Sequence, residues 1–476
     1  MGDFLDKYDT MEKNERGVVL MAHLIAAVAT GGQKSAVGVV RLSGEGCFAA
    51  LGKVFLPKNG REVSDLPDRK LTLGTLLDRD GRPLDEILAT ISRGPNSYTG
   101  EDTAELQCHG SPAVLAEALS ALFLAGARQA GPGEFTRRAF LNGKLDLSQA
   151  EAVMDLIDAP TAKAARNAAG QLSGALSTEI NRIYDGITDI LAHFHAVLDY
   201  SDEELPEFRL EEIREKFREY DATLAALEGS YHRGQYLKTG MPTVILGSPN
   251  AGKSSLLNLL AGYDRVIVTD IPGTTRDTVE ETLLVGGKLL RLTDTAGIRD
   301  TLDPVEQQGV QRSRRAAEEA FLAFYVCDGA KPLTQDDRTA MEQAQKAPHV
   351  LAILNKCDLP QVIAPGDLPF DHVLTLSARE GTGLEALEEA VKEVLREPEE
   401  DFSGSLLTNA RQLSAIVAAR SCLGNALSSL DSGMTADCVL VDAEAALTAL
   451  GEVTGRNMRE DVVNRIFERF CEGHSL

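Results

Sequence analysis

The run Gly247-Ser248-Pro249-Asn250-Ala251-Gly252-Lys253-Ser254 has the spacing of a phosphate-cradling loop. Its glycines let backbone N–H groups curl around phosphate oxygens, Lys253 can reach the outer phosphates, and the Ser254 hydroxyl can ligate Mg²⁺. The apolar run 243–246 precedes it and the helical run 255–260, opening with Ser255, follows, so the loop has the strand–loop–helix setting in which a helix N-terminus favours anions. A chance Gly-rich turn is the bland alternative, and three later signals in the correct order remove it. Asp294-Thr295-Ala296-Gly297 follows the apolar run 289–292; its Asp is placed to hold Mg²⁺ through water and Gly297 to offer its N–H to the outer phosphate. Asn355-Lys356-Cys357-Asp358 closes the apolar run 350–354. A carboxylate there accepts from a ring N–H and the adjacent amino group of guanine, a pair that adenine lacks. Ser377-Ala378-Arg379 follows a further strand and resembles a turn that backs the base.

Together these motifs resemble a Ras-like G domain of the translation-factor class, over residues 241–399. One position departs from Ras. Ile298 stands where a glutamine would orient the attacking water, so catalysis needs another positioning group and another source of positive charge. Thr269-Asp270-Ile271-Pro272-Gly273-Thr274-Thr275 reads as the first switch, with Thr275 placed to complete the Mg²⁺ shell. A monovalent cation could replace an arginine finger, and Asn250 has a side-chain oxygen suited to it. Glu306 lies beyond Asp294 on a segment that could close over the site; read alone, it is more readily a solvated glutamate at a helix start.

These residues need a scaffold, and 476 residues suffice for about three domains. Hydrophobic residues at 43% and charged residues at 25% describe a folded chain rather than a disordered one. A net charge of −24 makes it a poor non-specific binder of nucleic acid, so any RNA contact is local or delegated to a partner. The seven cysteines are scattered without zinc spacing, which fits free thiols in a reducing compartment. The polar start is not a signal sequence, Asp6 spoils a myristoylation pattern after Gly2, and no uncharged apolar run reaches membrane-span length. The expectation is a cytoplasmic protein.

The texture of the chain changes four times. Residues 1–18 read as a tail, and 19–137 as an α+β domain, with β-like runs at 37–42 and 87–92, a helix at 115–124 and frequent Gly/Pro punctuation. Residues 138–240 are helical, with a capping-box spacing from Ser148 to Glu151 and helix boundaries at Pro160 and Pro206. In 241–399 short β-branched runs alternate with helical segments, the pattern of a parallel α/β sheet. Residues 400–476 are helical again, so the fold class is multidomain α/β: an α+β N-terminal domain, then an all-α domain split by an inserted P-loop domain.

The flanks carry a closer resemblance. Tyr98-Thr-Gly-Glu-Asp-Thr-Ala-Glu105-Leu106, the stretch from Gly131-Pro-Gly-Glu-Phe-Thr-Arg-Arg through Lys144 to Ala152, and the ending Asn464-Arg465-Ile466-Phe467 with Phe470-Cys471 resemble signatures of the MnmE (TrmE) tRNA-modification GTPases. These belong to the TrmE-Era-EngA type of potassium-dependent GTPases, and the likeness runs from residue 23 to 473. The resemblance implies a dimer activated by potassium, held here by Asn250, Thr269, Ile271 and Thr274. It implies that Glu306 orients the attacking water, reversing the reading of that residue alone, with Arg299 a weaker candidate. It implies a formyl- or methylene-tetrahydrofolate held by Arg41, Glu105 and Lys144. It also implies a flavin-dependent partner, MnmG (formerly GidA), with which a (carboxymethyl)aminomethyl group is installed on C5 of the tRNA wobble uridine. The usual Cys-Ile-Gly-Lys ending reads Cys471-Glu472-Gly473-His474 here, so a mostly neutral His474 replaces a folate-facing lysine. Cys471 is a candidate thiol by position, and a buried small hydrophobe equally well. The competing reading is a regulatory or ribosome-assembly switch, which has no reason to bind folate.

Overall fold

In the computed structural model, residues 23–31, 34–199, 210–263, 281–292, 316–396, 404 and 406–457 are described, with Val463, Ile466, Phe467 and the backbone of 12–13 and 19–20. The chain divides into two compact units, 1–150 with 457–476, and 151–456.

The first unit is built on alternation. Strands β1 (Glu12–Lys13) and β2 (Val19–Leu20) pair with each other. A seven-stranded sheet then joins β3 (Ile25–Val28), β4 (Val37–Ser43), β5 (Phe55–Pro57), β6 (Thr72–Leu77), β7 (Pro83–Ser92), β8 (Thr103–His109) and β9 (Arg128–Gln129) in the order β5-β6-β7-β8-β4-β3-β9. Val40 and Leu42 of β4 face a core shared with Leu106 of β8, Leu51 of α1 (Cys47–Val54) and Leu122 of α2 (Pro112–Leu124). Pro112 opens α2 at a position where its missing N–H costs nothing. The two-residue strand period turns Arg41 to the opposite face, directly across from Glu105 in the antiparallel register. Helix α3 (Glu134–Leu141) follows, and Phe467 stacks near Phe140 with ring centroids 6.1 Å apart.

Helix α4 (Leu147–Ile157) corrects one expectation. Its N-terminal box is formed by Asp146 and Gln149, not by Ser148 and Glu151. Asp146 Oδ1 accepts from the Gln149 N–H at 2.9 Å, and Gln149 Oε1 accepts from the Asp146 N–H at 3.0 Å. Ser148 donates to the same Asp146 oxygen at 2.7 Å, and Glu151 is drawn instead to Arg411 and Gln412.

In the second unit, α5 (Ala162–Leu172), α6 (Ala175–Asp199) and α7 (Leu210–Thr239) precede the inserted sheet, and α11 (Ala410–Asp431) and α12 (Ala436–Thr454) follow it. Ile180 and Ile187 of α6, Phe217 and Leu224 of α7, Ile416 and Leu423 of α11, and Leu450 of α12 share one core. Chain segments on either side of the insertion therefore complete each other. Helix α11 is long and apolar enough to cross a membrane by composition alone, but Ala415, Ile416, Ala419 and Leu423 face this core, and Arg420 pairs with Asp221 and Glu228. Asp155 fastens both crossings: one oxygen meets Lys238 Nζ at 2.5 Å just before the insertion, the other the Thr408 hydroxyl at 2.6 Å just after it.

Between the crossings lie β10 (Met241–Leu246), α8 (Lys253–Tyr263), β11 (Glu281–Val285), β12 (Lys288–Leu292), β13 (Leu322–Asp328), α9 (Gln335–Ala344), β14 (His349–Asn355), β15 (Val373–Leu376) and α10 (Leu384–Val394). The strand order is β11-β12-β10-β13-β14-β15. The sheet is not wholly parallel: β11 runs antiparallel to β12. The cause is local. Gly286 and Gly287, at φ 57° and 74°, form a two-residue hairpin turn that returns the chain beside itself. The remaining pairings are parallel, and β13 and β14 are buried over almost their whole length, which explains their unbroken apolar runs.

Candidate functional site

The phosphate loop leaves β10 and enters α8 at Lys253. Two glycines have no substitute there. A Cβ on Gly247 would lie 2.1 Å from the Val326 carbonyl oxygen, and one on Gly252, at φ 102°, would lie 2.0 Å from Asn355 Nδ2. Asn250 sits between them at φ 63°, a left-handed conformation that asparagine tolerates better than most residues. Lys253 Nζ donates to the carbonyls of Gly247 and Ser248, both at 2.9 Å, so its ammonium is already held inside the loop. Burial pushes that ammonium below the ordinary lysine value.

Asn355, at the end of β14, ties the loop to the two base-side turns. Its buried amide donates to the Ala251 carbonyl at 2.8 Å and accepts from the Ala378 N–H at 2.9 Å. Lys356, at φ 67°, reaches back to the Asn250 carbonyl at 3.1 Å. The Cys357 N–H donates to the Leu376 carbonyl, which fixes the turn against β15. Ser377 donates its hydroxyl to Asp358 Oδ1 at 2.6 Å and so aims a carboxylate that is otherwise exposed. Ala378 is buried while Arg379 and Ser255 are exposed. The sequence-predicted residues at 250–255, 355–358 and 377–379 are thus brought to one place. The expectations for 269–275, 294–297, Arg299, Glu306, Cys471 and His474 fall outside the described residues.

In the first unit, Arg41 lays its guanidinium on Glu105, with Nε and Nη2 both 2.8 Å from Oε1, and both side chains are about one-third exposed. The rings of Tyr98 and Phe135 flank the guanidinium at 5.5 and 5.7 Å. Lys144 is exposed, and its stem passes Gly100 closely enough that a Cβ there would meet Cγ at 3.3 Å. The turn from Tyr98 to Gly100 therefore touches Arg41 and Lys144, and Glu105 joins them through Arg41. Among the described residues no group of three or more His, Cys, Asp or Glu is arranged to hold a metal ion. The six described cysteines are free thiols, and burial pushes Cys108 and Cys327 up to about 12, which makes them poor nucleophiles.

Sequence reasoning missed the ion network behind this turn. Arg138 is 1% exposed. Its Nη1 donates to Glu101 at 2.8 Å, and its Nη2 to the His23 carbonyl at 2.8 Å and to Glu134 at 3.0 Å. Glu134 also receives Arg128 at 2.6 and 2.9 Å and the Gly131 N–H at 2.8 Å. Burial would raise the Glu134 pKa, but Arg128, the Gly131 N–H and Arg138 together hold it below the usual glutamate value. Ser43 donates to Glu101 and shares a hydrogen bond with Thr99, both at 2.7 Å, tying the network to β4 two residues from Arg41. The available signal was Glu134 four residues before Arg138, both inside a stretch already singled out.

Comparison with known proteins adds a family to this geometry. A profile described as the MnmE helical domain matches residues 147–471, and one described as the GTP-binding protein TrmE N-terminus matches 24–144. The chain belongs to the MnmE family. A protein of Symbiobacterium thermophilum named tRNA modification GTPase MnmE is 42% identical, over 94% of this chain and 99% of its own. An MnmE of Alkaliphilus metalliredigens is 39% identical, over 94% and 98%, and one of Roseiflexus sp. is 42% identical, over the same shares. Both flanking regions and the nucleotide loops of this chain thus fall within one MnmE-type polypeptide.

Proposed function

We propose that the chain is a potassium-activated GTP hydrolase that works with a flavin-dependent MnmG (GidA)-like partner. Together they add a one-carbon-derived (carboxymethyl)aminomethyl group to C5 of the tRNA wobble uridine. The observation that supports the hydrolase most directly is the buried Asn355 amide, which joins the phosphate loop to both base-side turns. Asp358, aimed by Ser377, selects guanine, and Lys253 neutralises charge that develops on the outer phosphates. The donor set fits the ions the reaction needs. Mg²⁺ would be held by Ser254 with Thr275 and Asp294, and would supply positive charge against the phosphates. K⁺ would be held by Asn250, whose left-handed backbone presents an exposed side chain, with Thr269, Ile271 and Thr274. Glu306 orients the attacking water in place of the glutamine that Ile298 replaces, with Arg299 a weaker candidate.

The Arg41–Glu105 pair fits a ligand carrying both an anion and an amide edge, as tetrahydrofolate does. Arg41 offers donors to the anion, Glu105 accepts from the amide edge, and Lys144 adds a second cation. His474 takes the place of a lysine there. The protein acts as a cytoplasmic homodimer, and much of the tRNA contact belongs to the partner, in keeping with the charge of −24.

Two measurements test this. GTP turnover is expected to be at least about tenfold faster in potassium than in sodium, and equal rates would sink the cation reading. Nucleoside mass spectrometry of tRNA from cells lacking the gene is expected to show loss of the 5-substituted wobble uridine, restored with the gene. An unchanged nucleoside profile would move the function to a regulatory GTPase switch.

A further inference from the structure

The ammonium of Lys356 touches two groups. It donates to the Asn250 carbonyl at 3.1 Å and lies 2.6 Å from Asp328 Oδ2. Asp328 is the last residue of β13 and belongs to none of the nucleotide motifs. Its carboxylate is only 12% exposed and is itself clamped, since Oδ1 accepts the Ala330 N–H at 3.2 Å. The backbone of Lys356 is fixed as well: its carbonyl accepts from the Gln361 side chain at 2.9 Å. A lysine stem has four rotatable carbons, and an ammonium near water has little reason to stay at one carbonyl. A largely buried carboxylate, held by a backbone N–H, supplies that reason.

We propose that Asp328 is a positioning residue for guanine-nucleotide binding. It holds Lys356 Nζ against the Asn250 carbonyl and thereby keeps the tip of the phosphate loop in its left-handed conformation. Three facts meet in this chain. Asn250 and Lys356 both carry positive φ, 63° and 67°, so each needs outside support. The contact between them is one hydrogen bond from a charged donor, the kind whose loss is felt most. The charge that anchors that donor comes from the neighbouring strand rather than from either loop. Lys331 also approaches Asp328, at 3.5 Å, but is 70% exposed and is free to leave. The neighbouring cation pulls the Asp328 carboxyl below its ordinary value despite partial burial, in keeping with a permanently ionised anchor. If Asn250 holds potassium, as proposed above, the same anchor also supports the cation site; that extension rests on the earlier reading, and the test below does not.

The test is a double-variant cycle in the full chain, read by the affinity and dissociation rate of a fluorescent GDP in magnesium buffer. Asp328→Asn is expected to weaken GDP binding about tenfold, mainly through faster dissociation, because it removes one charged hydrogen bond. Lys356→Met is expected to weaken it more. The double variant is expected to match Lys356→Met alone, because Asp328 acts only through that lysine. Additive losses in the double variant would overturn the proposal, as would an Asp328→Asn affinity equal to that of the unaltered protein. Melting temperature is measured alongside: a fall in stability with unchanged GDP affinity makes Asp328 merely structural. Absence of GDP binding by the unaltered protein would remove the nucleotide site and this proposal with it.

Discussion

Around Asn355, loops meet through backbone carbonyls, N–H groups and one side-chain amide. Around Arg138, strands and a helix meet through a buried guanidinium that joins Glu134 of its own helix to Glu101 and the His23 carbonyl, 37 and 115 residues away. The first region stores its chemistry in conformation: positive φ angles, glycines without room for a Cβ, and a lysine folded onto its own loop. The second stores it in register, since Arg41 and Glu105 meet only because β4 pairs with β8 in one alignment. Conformational sites are written in contiguous residues. Register sites are written in residues that mean little until the sheet forms.

The strongest way to break the comparison is Lys253→Met. GTP turnover is expected to fall roughly a thousandfold, about 4 kcal/mol of transition-state stabilisation, while circular dichroism and melting stay close to those of the unaltered protein. A small change in turnover would mean that the loop acts through its backbone alone.

Arg138→Met probes the other region. It leaves the buried Glu134 and the half-buried Glu101 without their shared cation, and is expected to cost about 3 kcal/mol or more. Urea unfolding followed by hydrogen exchange at β4 and β8 amides would locate the loss, and GTP affinity is expected to hold. If GTP affinity falls in parallel, the two regions are less independent than their construction implies.

Asp146→Ala sharpens the contrast at the start of α4, where a conformational device serves a structural purpose. Loss of the cap is expected to cost about 1 kcal/mol, whereas Ser148→Ala should cost less. The reverse order would restore Ser148 as the capping residue.

The smallest effect is a pH dependence. Glu134 has a folded pKa held below its ordinary value of 4.5, so its contribution is complete above that pH and is lost as pH falls through the lower folded value. Acid unfolding of the first unit is expected to flatten in Glu134→Gln. An unchanged acid limb would place the charge linkage elsewhere.

Much of this could be read in advance, and the reasons are specific. Gly247 to Ser254, Asn355 to Asp358 and Ser377 to Arg379 announced their strand–loop settings because each is local. The strands at 37–42, 87–92, 243–246, 289–292 and 350–354 stood out through unbroken or alternating apolar residues, and the structure places strands over each of them. The antiparallel edge strand was harder, although Gly286-Gly287 carried the hairpin signal, because the surrounding alternation argued for parallel pairing. The Ser148–Glu151 spacing misled because Glu151 has a partner in Arg411, 260 residues away, that no local rule can see. Arg41 and Glu105, 64 residues apart, were found only through family likeness, and Arg138 was passed over because burying an arginine needs partners from three separate segments.

The split helical core has a consequence for how the protein is made. Helices α6 and α7 leave the ribosome before the inserted sheet, and Ile416, Leu423 and Leu450, which complete their core, come after it. Some 169 residues separate Thr239 from Thr408 (408 − 239), and at about 5 to 20 residues per second their synthesis takes roughly 10 to 30 s. During that interval the apolar stripe of Ile180, Ile187, Phe217 and Leu224 lacks the cover that Ile416, Leu423 and Leu450 later supply. The nascent chain must carry an exposed, aggregation-prone helical pair while the nucleotide domain is being completed.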